Sequence, residues 1–308
     1  MDAQLAALIA DLPQMPSPSI EALAQMRPFA TSPAETVLAG RTLSRREFST
    51  HASDGFELPI SVFGSPATPT GAPCIYWLHG GGMIMGDRFS QLDIPLDWLE
   101  EFHAAVVTID YRLAPENSGS TLVEDAYQGL LWIVQNADQI GIDPGRIIVA
   151  GTSAGGGLAA GVALLARDRG GPALAAQVLI CPMLDHRNIT TSSHQYSGAG
   201  VWSREMNEFA WRAVLGDPVG PDTLAYVSPA SAEDVSGLPA AYIDAGSAEV
   251  FRDEDVEYAR RIWTSGGQAE LHVWAGGFHG FDALFPGAPI SRSARRARSD
   301  WVGRVLRN

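Results

Sequence analysis

One serine stands out by its surroundings. Ser153 sits in "VAGTSAGGG" (149–157), flanked at two residues on either side by Gly151 and Gly155 in a G-x-S-x-G pattern. The run "RIIVAG" before it reads as a strand, and the stretch after it as a helix. A serine at such a sharp strand-to-helix turn takes a strained backbone, and side chains at ±2 would collide with the neighbouring strand and helix. Small residues there expose one hydroxyl above a sheet. The competing reading is a phosphate-binding turn, since Gly155, Gly157 and Ala160 also fit G-x-G-x-x-A. That match begins inside the helix, and no acidic residue ends a following strand to hold a ribose, so the nucleophile reading is preferred.

Acyl transfer by a serine needs a base and donors for a developing oxyanion. "WLHGGGMIMG" supplies the donors: Gly80, Gly81 and Gly82 follow the buried run "CIYWL", where bare backbone N–H groups can line a cavity. Gly81 and Gly82, with the amide of Ala154 after the serine, form the expected oxyanion hole. The base must come from a loop at a strand end late in the chain, and His279 in "AGGFHGF" meets that requirement. Of the other histidines, His272 lies inside a strand and His79 opens the glycine loop, whose shape it is expected to hold. Met83, Ile84 and Met85 put apolar, adaptable side chains beside the oxyanion donors and are expected, with Trp202, to bind substrate.

The elements that must position these residues alternate. Strand-like runs "RREFST", "LPISVFG", "CIYWLHG", "AVVTIDYR", "RIIVAG", "AQVLICP", "PAAYIDAG" and "AELHVWAG" are separated by helical patterns over 93–102, 122–135, 158–167 and 253–265, with a last helix from about Ser293. Apolar strands alternating with helices predict an α/β fold with a mainly parallel sheet covered on both faces. Two segments break the rhythm. Residues 1–45 read as short helices interrupted by "PQMPSPS" (13–19), with an amphipathic piece at 20–26. Residues 185–228 are too long for a plain connection and are helical around 204–215.

Composition narrows the function classes. With 46% hydrophobic and 18% charged residues, the 308-residue chain is an ordinary globule able to bury a large core. A net charge of −14 disfavours nucleic acid and anionic membranes as partners. The basic cluster Arg292, Arg295, Arg296 and Arg298 is expected to be a solvated helix face rather than an anion site. All 21 basic residues are arginine, which excludes Schiff-base, P-loop and Ser-Lys mechanisms. Cys74 and Cys181 lie in apolar runs and are expected to be buried free thiols; no Cys/His spacing indicates a metal. Residues 147–166 carry no charge over a membrane-spanning length, but their glycines and strand-then-helix pattern argue against a span. No basic residue precedes Arg27, so no signal peptide is expected, and a cytoplasmic location is.

Together, HGGG at 79–82, "DYRLAPE" at 110–116, GTSAGG at 151–156, "FRDE" at 251–254 and "HGF" at 279–281 resemble the hormone-sensitive-lipase-like (bacterial family IV) esterases of the α/β-hydrolase superfamily. Thr152 before the serine resembles the GTSAG subgroup. The resemblance implies a Ser-acid-His triad, no cofactor, and a helical cap built from 1–45 and 185–228 over a core of 46–184 and 229–308. After "YRLAPE" the chain departs from the family with "NSGSTLVEDA". The family's usual Asp-Pro-Leu-Arg-Asp-Glu is here Glu249-Val250-Phe251-Arg252-Asp253-Glu254, which puts Glu249 at the acid position, 30 residues before His279. Asp244, at a strand end, and Asp253, a natural helix N-cap, are the rival acids.

The expected function is carboxylic ester hydrolysis of small-molecule, short-chain acyl esters through Ser153, His279 and Glu249. Amide, lactone or formamide hydrolysis on the same triad is the alternative. A non-catalytic receptor on this fold is disfavoured by the presence of His279. A homodimer is the assembly to look for.

Overall fold

The apolar runs become the strands of one sheet. The computed structural model describes residues 1–10, 16–198, 200–216 and 220–307. Its strands are β1 (Ser44–His51), β2 (Glu57–Gly64), β3 (Ala72–Leu78), β4 (Ala105–Ile109), β5 (Ile142–Thr152), β6 (Ala176–Ile180), β7 (Ala241–Ala248) and β8 (Ala269–Phe278). They lie in the order β1-β2-β4-β3-β5-β6-β7-β8. β2 runs antiparallel to both neighbours, and every pair from β4 to β8 is parallel.

Parallel strands covered on both faces have no polar side to show, and β3, β4 and β6 are buried at every residue. Edge strand β1 is half exposed and carries Arg45, Arg46 and Glu47, charges that discourage edge-to-edge pairing. The two-residue period sorts the core. Tyr76, Leu78, Val107, Ile147 and Val149 face one apolar cluster with the helices Thr121–Gln135, Ala154–Asp168 and Arg252–Thr264. Ile75, Trp77, Val106, Ile148 and Ala150 face a second cluster with the helices Asp93–Phe102 and Pro289–Arg307.

Three boundaries differ from the sequence reading, each for a local reason. The helix after β5 begins at Ala154 rather than 158, because the chain passes directly from strand to helix and Gly155–Gly157 form its first turn. β6 stops at Ile180, where Cys181 takes a φ of +39° and turns the chain out of the sheet. The last helix begins at Pro289, whose missing N–H costs nothing in a first turn. The solvated-face reading of the arginine cluster is corrected: Arg298 is 1% exposed and pairs with Asp244 (2.8 Å) and Asp282 (2.9 Å). Burial of two carboxylates opposite this helix demands a buried cation, which helical periodicity alone does not reveal.

Helices Ala3–Ala10 and Ile20–Met26 precede the sheet, and Thr191–Gln195, Arg204–Leu215 and Pro221–Val227 form the insertion between β6 and β7. Residues 13–15 of the expected helix break lie outside the described residues. The insertion packs closely on the core: a Cβ on Gly161 would stand 2.2 Å from the Tyr226 carbonyl oxygen. The N-terminal segment is tied down by Arg27, which donates to the carbonyls of Ile84 and Ala114 (both 2.8 Å) and pairs with Glu116 (2.6 Å). Among the described residues no helix is long and apolar enough to cross a membrane. The uncharged stretch 147–166 is split between β5 and the helix after it.

Candidate active site

The carboxyl ends of four strands meet at one place: the glycine loop follows β3, Ser153 follows β5, Glu249 follows β7 and His279 follows β8. Such edges are where open α/β sheets hold ligands. Ser153 has φ +56° and ψ −121°, a conformation that side-chain-bearing residues rarely adopt. The turn is held by Ser153 N–H donating to Ile180 O (2.7 Å), and by Gly157 and Met183 N–H donating to Ser153 O (3.0 and 2.9 Å). The flanking glycines are required by contact: a Cβ on Gly155 would lie 2.0 Å from Leu78 O, and one on Gly151 would lie 2.3 Å from Gly155 O.

His279 Nε2 lies 2.9 Å from Ser153 Oγ, and its Nδ1 lies 3.4 Å from Glu249 Oε1. All three side chains are buried. The second Glu249 oxygen accepts from Gly246 N–H (3.1 Å), which fixes the carboxylate toward the imidazole. Phe251 stands edge-on to the imidazole with ring centroids 5.0 Å apart. The 3.4 Å separation is long for an N–H···O bond.

The rival acids are engaged elsewhere. Asp244 accepts from Arg298 and from Trp274 Nε1 (3.2 Å). Asp253 does not cap its own helix, which starts at Arg252 with Phe251 as N-cap. It accepts instead from Ser192 N–H (2.7 Å), in the first turn of the neighbouring helix Thr191–Gln195, so the N-cap expectation is corrected. That partner is 61 residues away in sequence and leaves no local signal.

In the glycine loop, Gly81 and Gly82 have φ of +114° and +65°, where glycine is favoured. A Cβ on Gly81 would stand 2.2 Å from Met85 O, and one on Gly82 would stand 2.4 Å from the Trp202 ring. Gly80 N–H is taken by Gln91 Oε1 (2.9 Å). The amides of Gly81, Gly82 and Ala154 find no acceptor among the described residues. His79 donates from Nδ1 to Gly80 O (2.7 Å) and stacks on Tyr111 at 4.2 Å, and the Tyr111 hydroxyl donates to His79 O. Burial pushes the His79 pKa down against the opposing pull of that bond and of Asp110 and Asp87, so the ring stays neutral and braces the loop. Gln91 sits in no spacing that would mark it, and Tyr111 enters the sequence reading only as part of "DYRLAPE", with no role of its own.

Of the expected substrate-binding residues, Trp202 stands beside Gly82 with its ring 6.3 Å from that of His279. Met83, Ile84 and Met85 are buried in the same apolar cluster as Trp202. The Met83 terminal methyl would meet a Cβ on Gly157 at 3.7 Å, so it reaches the first turn of the serine's own helix.

The helix Arg252–Thr264 carries a fully buried carboxylate, Asp255. Neither of its oxygens finds a hydrogen-bond partner among the described residues. Burial, then the neighbouring Glu254, Glu249 and Asp244, holds its pKa well above the usual carboxylate range. A raised folded pKa means the native state binds the proton more tightly, so stability is fullest below the unfolded pKa and declines as pH rises above it. Asp255→Asn, the neutral isostere, needs no proton to enter the core and should therefore stabilise the protein near neutral pH by on the order of 1 kcal/mol or more, since each unit by which the folded pKa exceeds the unfolded one is worth about 1.4 kcal/mol. The gain should shrink toward pH 4. Thermal melts of both proteins across that range provide the check.

Known proteins resemble this chain in sequence and in fold. The family model described as alpha/beta hydrolase fold matches residues 75–283. Carboxylesterase NlhH of Mycobacterium tuberculosis is 33% identical over 244 residues, 77% of this chain and 75% of that protein. An ethyl acetate hydrolase of Pseudomonas putida is 28% identical over 87% of this chain and 85% of its own length. Among solved structures, a bacterial heroin esterase superposes with a TM-score of 0.91 at 35% identity, covering 100% of this chain and 98% of that one. The chain belongs to the α/β-hydrolase fold family. Within it, this is a serine carboxylic ester hydrolase of the hormone-sensitive-lipase-like kind.

Proposed function

We propose that Ser153 is the nucleophile, His279 the base and Glu249 the acid that orients it, and that the preferred substrates are small esters of roughly two to six acyl carbons. The observation that carries the triad is the 2.9 Å approach of His279 Nε2 to Ser153 Oγ, with Glu249 behind Nδ1. Ser153 Oγ attacks the ester carbonyl as His279 takes its proton. The free amides of Gly81, Gly82 and Ala154 receive the oxyanion, each such donor being worth about 3 kcal/mol in comparable sites. His279 then protonates the departing alkoxide, and water clears the acyl-enzyme by the same steps in reverse order of partners.

Chain-length preference follows from the walls. Each acyl methylene that enters an apolar pocket contributes ~0.8 kcal/mol, so rates climb while room lasts. The segments 1–45 and 185–228, which we read as the cap, end the climb. Arg27 carries the N-terminal part of that closure, because one side chain ties it to the loop after Gly82 and to the Ala114–Glu116 turn. Hydrolysis of p-nitrophenyl esters from acetate to laurate should peak at short acyl groups. Arg27→Met should lower kcat/KM on the best ester several-fold and shift the peak to longer chains. Greatest activity on emulsified long-chain triglyceride would refute the short-chain reading, and an unchanged profile in the variant would refute the cap.

A further inference from the structure

Cys181 follows β6 and is a free thiol, 4% exposed, on a backbone with φ of +39°. Its N–H donates to Asp244 O (2.6 Å), and Ile180 before it accepts from the N–H of Ser153. This anchored, strained position brings the sulfur close to the Glu249–His279 pair, with Thr152 Oγ1 3.8 Å away from it. Cys181 Sγ, a Glu249 carboxylate oxygen and a His279 ring nitrogen all lie within 4.8 Å of one another. No step of ester hydrolysis uses the thiol.

The geometry points to a second ligand chemistry here: Cys181, Glu249 and His279 form a three-donor site for a thiophilic divalent cation such as Zn²⁺ or Cd²⁺, and its occupation shuts off the esterase. One thiolate, one imidazole and one carboxylate are a donor set of the kind zinc takes, with a fourth position left to water. At metal–ligand distances of about 2.0–2.3 Å, tetrahedral donors stand roughly 3.3–3.8 Å apart. The 3.4 Å between His279 and Glu249 already fits, and the sulfur needs to close by no more than about an ångström.

Charge also balances. The cation's two positive charges meet one thiolate and one carboxylate, so the filled site is neutral and tolerates burial. Binding releases the thiol proton to solvent. The ion takes the place of hydrogen at Nδ1, and the imidazole's own proton moves to Nε2. His279 then faces Ser153 with a donor and has no lone pair to accept the serine proton. Positions 181, 249 and 279 are too far apart in sequence to show a ligand spacing.

The loss of turnover rests on the reading of His279 as base, but the binding does not, so the two are measured separately. Cd²⁺ added to the metal-free protein should produce the ultraviolet absorption of a cadmium–thiolate bond at one ion per chain. Ester hydrolysis should fall in parallel and return with chelator. Cys181→Ala should keep the parent's turnover, lose the absorption and need roughly tenfold or more Cd²⁺ or Zn²⁺ for the same inhibition, the scale on which metal sites respond to lost support. Cys181→Ser serves if alanine impairs folding, and Cys74→Ala should behave as the parent. An absent band, or a Cys181→Ala variant as sensitive as the parent, overturns the site. A band with undiminished turnover overturns the shut-off and places the fault in the base assignment.

Discussion

Ser153→Ala should abolish ester hydrolysis while leaving the fold intact. Loss of the nucleophile in a comparable serine hydrolase costs about 10⁶ in kcat, leaving only what oxyanion donors and binding provide. The change removes one oxygen. The methyl group that remains sits at the same backbone position, between Thr152 and Ala154. The hydroxyl's one hydrogen bond to a described residue is the contact with His279. Melting temperature should therefore stay within a few degrees of the parent, and turnover of an aryl butyrate should fall by about 10⁶, to the small residual that oxyanion donors and binding provide. Turnover within tenfold of the parent would exclude this serine.

The second large effect is expected at Glu249. A carboxylate beside Nδ1 keeps the imidazole proton there and leaves Nε2 free to accept from serine. In Glu249→Gln the amide N–H₂ can face Nδ1, which favours the tautomer protonated at Nε2, and catalysis should fall by orders of magnitude. The corresponding Asp→Asn change in serine proteases costs about 10⁴ in kcat. Two other acids give the contrast. Asp253→Asn should weaken the tie to Ser192 and lower stability by about 1 kcal/mol with turnover preserved. Asp244→Asn breaks a buried pair with Arg298, and removing one partner from such pairs costs about 3–5 kcal/mol. Kinetics and melting curves on all three variants decide the matter: a catalytic loss at Asp244 or Asp253 with Glu249→Gln active would move the assignment.

How far the sequence could be read follows from which interactions are local. Ser153 and the glycine loop were legible because steric demand writes itself into neighbouring positions: Gly151, Gly155, Gly81 and Gly82 each face an atom that forbids a Cβ. The strands were legible because burial on two faces leaves uninterrupted apolar runs, as in β3. What joins distant segments was not. Arg298 looked like one more solvent-facing arginine, since its partners Asp244 and Asp282 lie on other elements. Asp253 looked like a cap for its own helix, and its actual partner sits on a different one. Cys181 looked like core packing, because neither its positive φ nor its distance from Glu249 and His279 has a composition or a period. A motif register alone favours Glu249 over Asp244, and no local physical property separates the two carboxylates in the sequence.

Titration with a serine-directed organophosphonate tests the proposed chemistry most directly, because it counts the reacting group and locates it at once. Esterase activity should fall linearly to zero as one phosphonyl group adds per chain, and peptide mapping should find that group on Ser153. Complete inhibition with the adduct on another residue, or a fully modified Ser153 with hydrolysis still running, would contradict it.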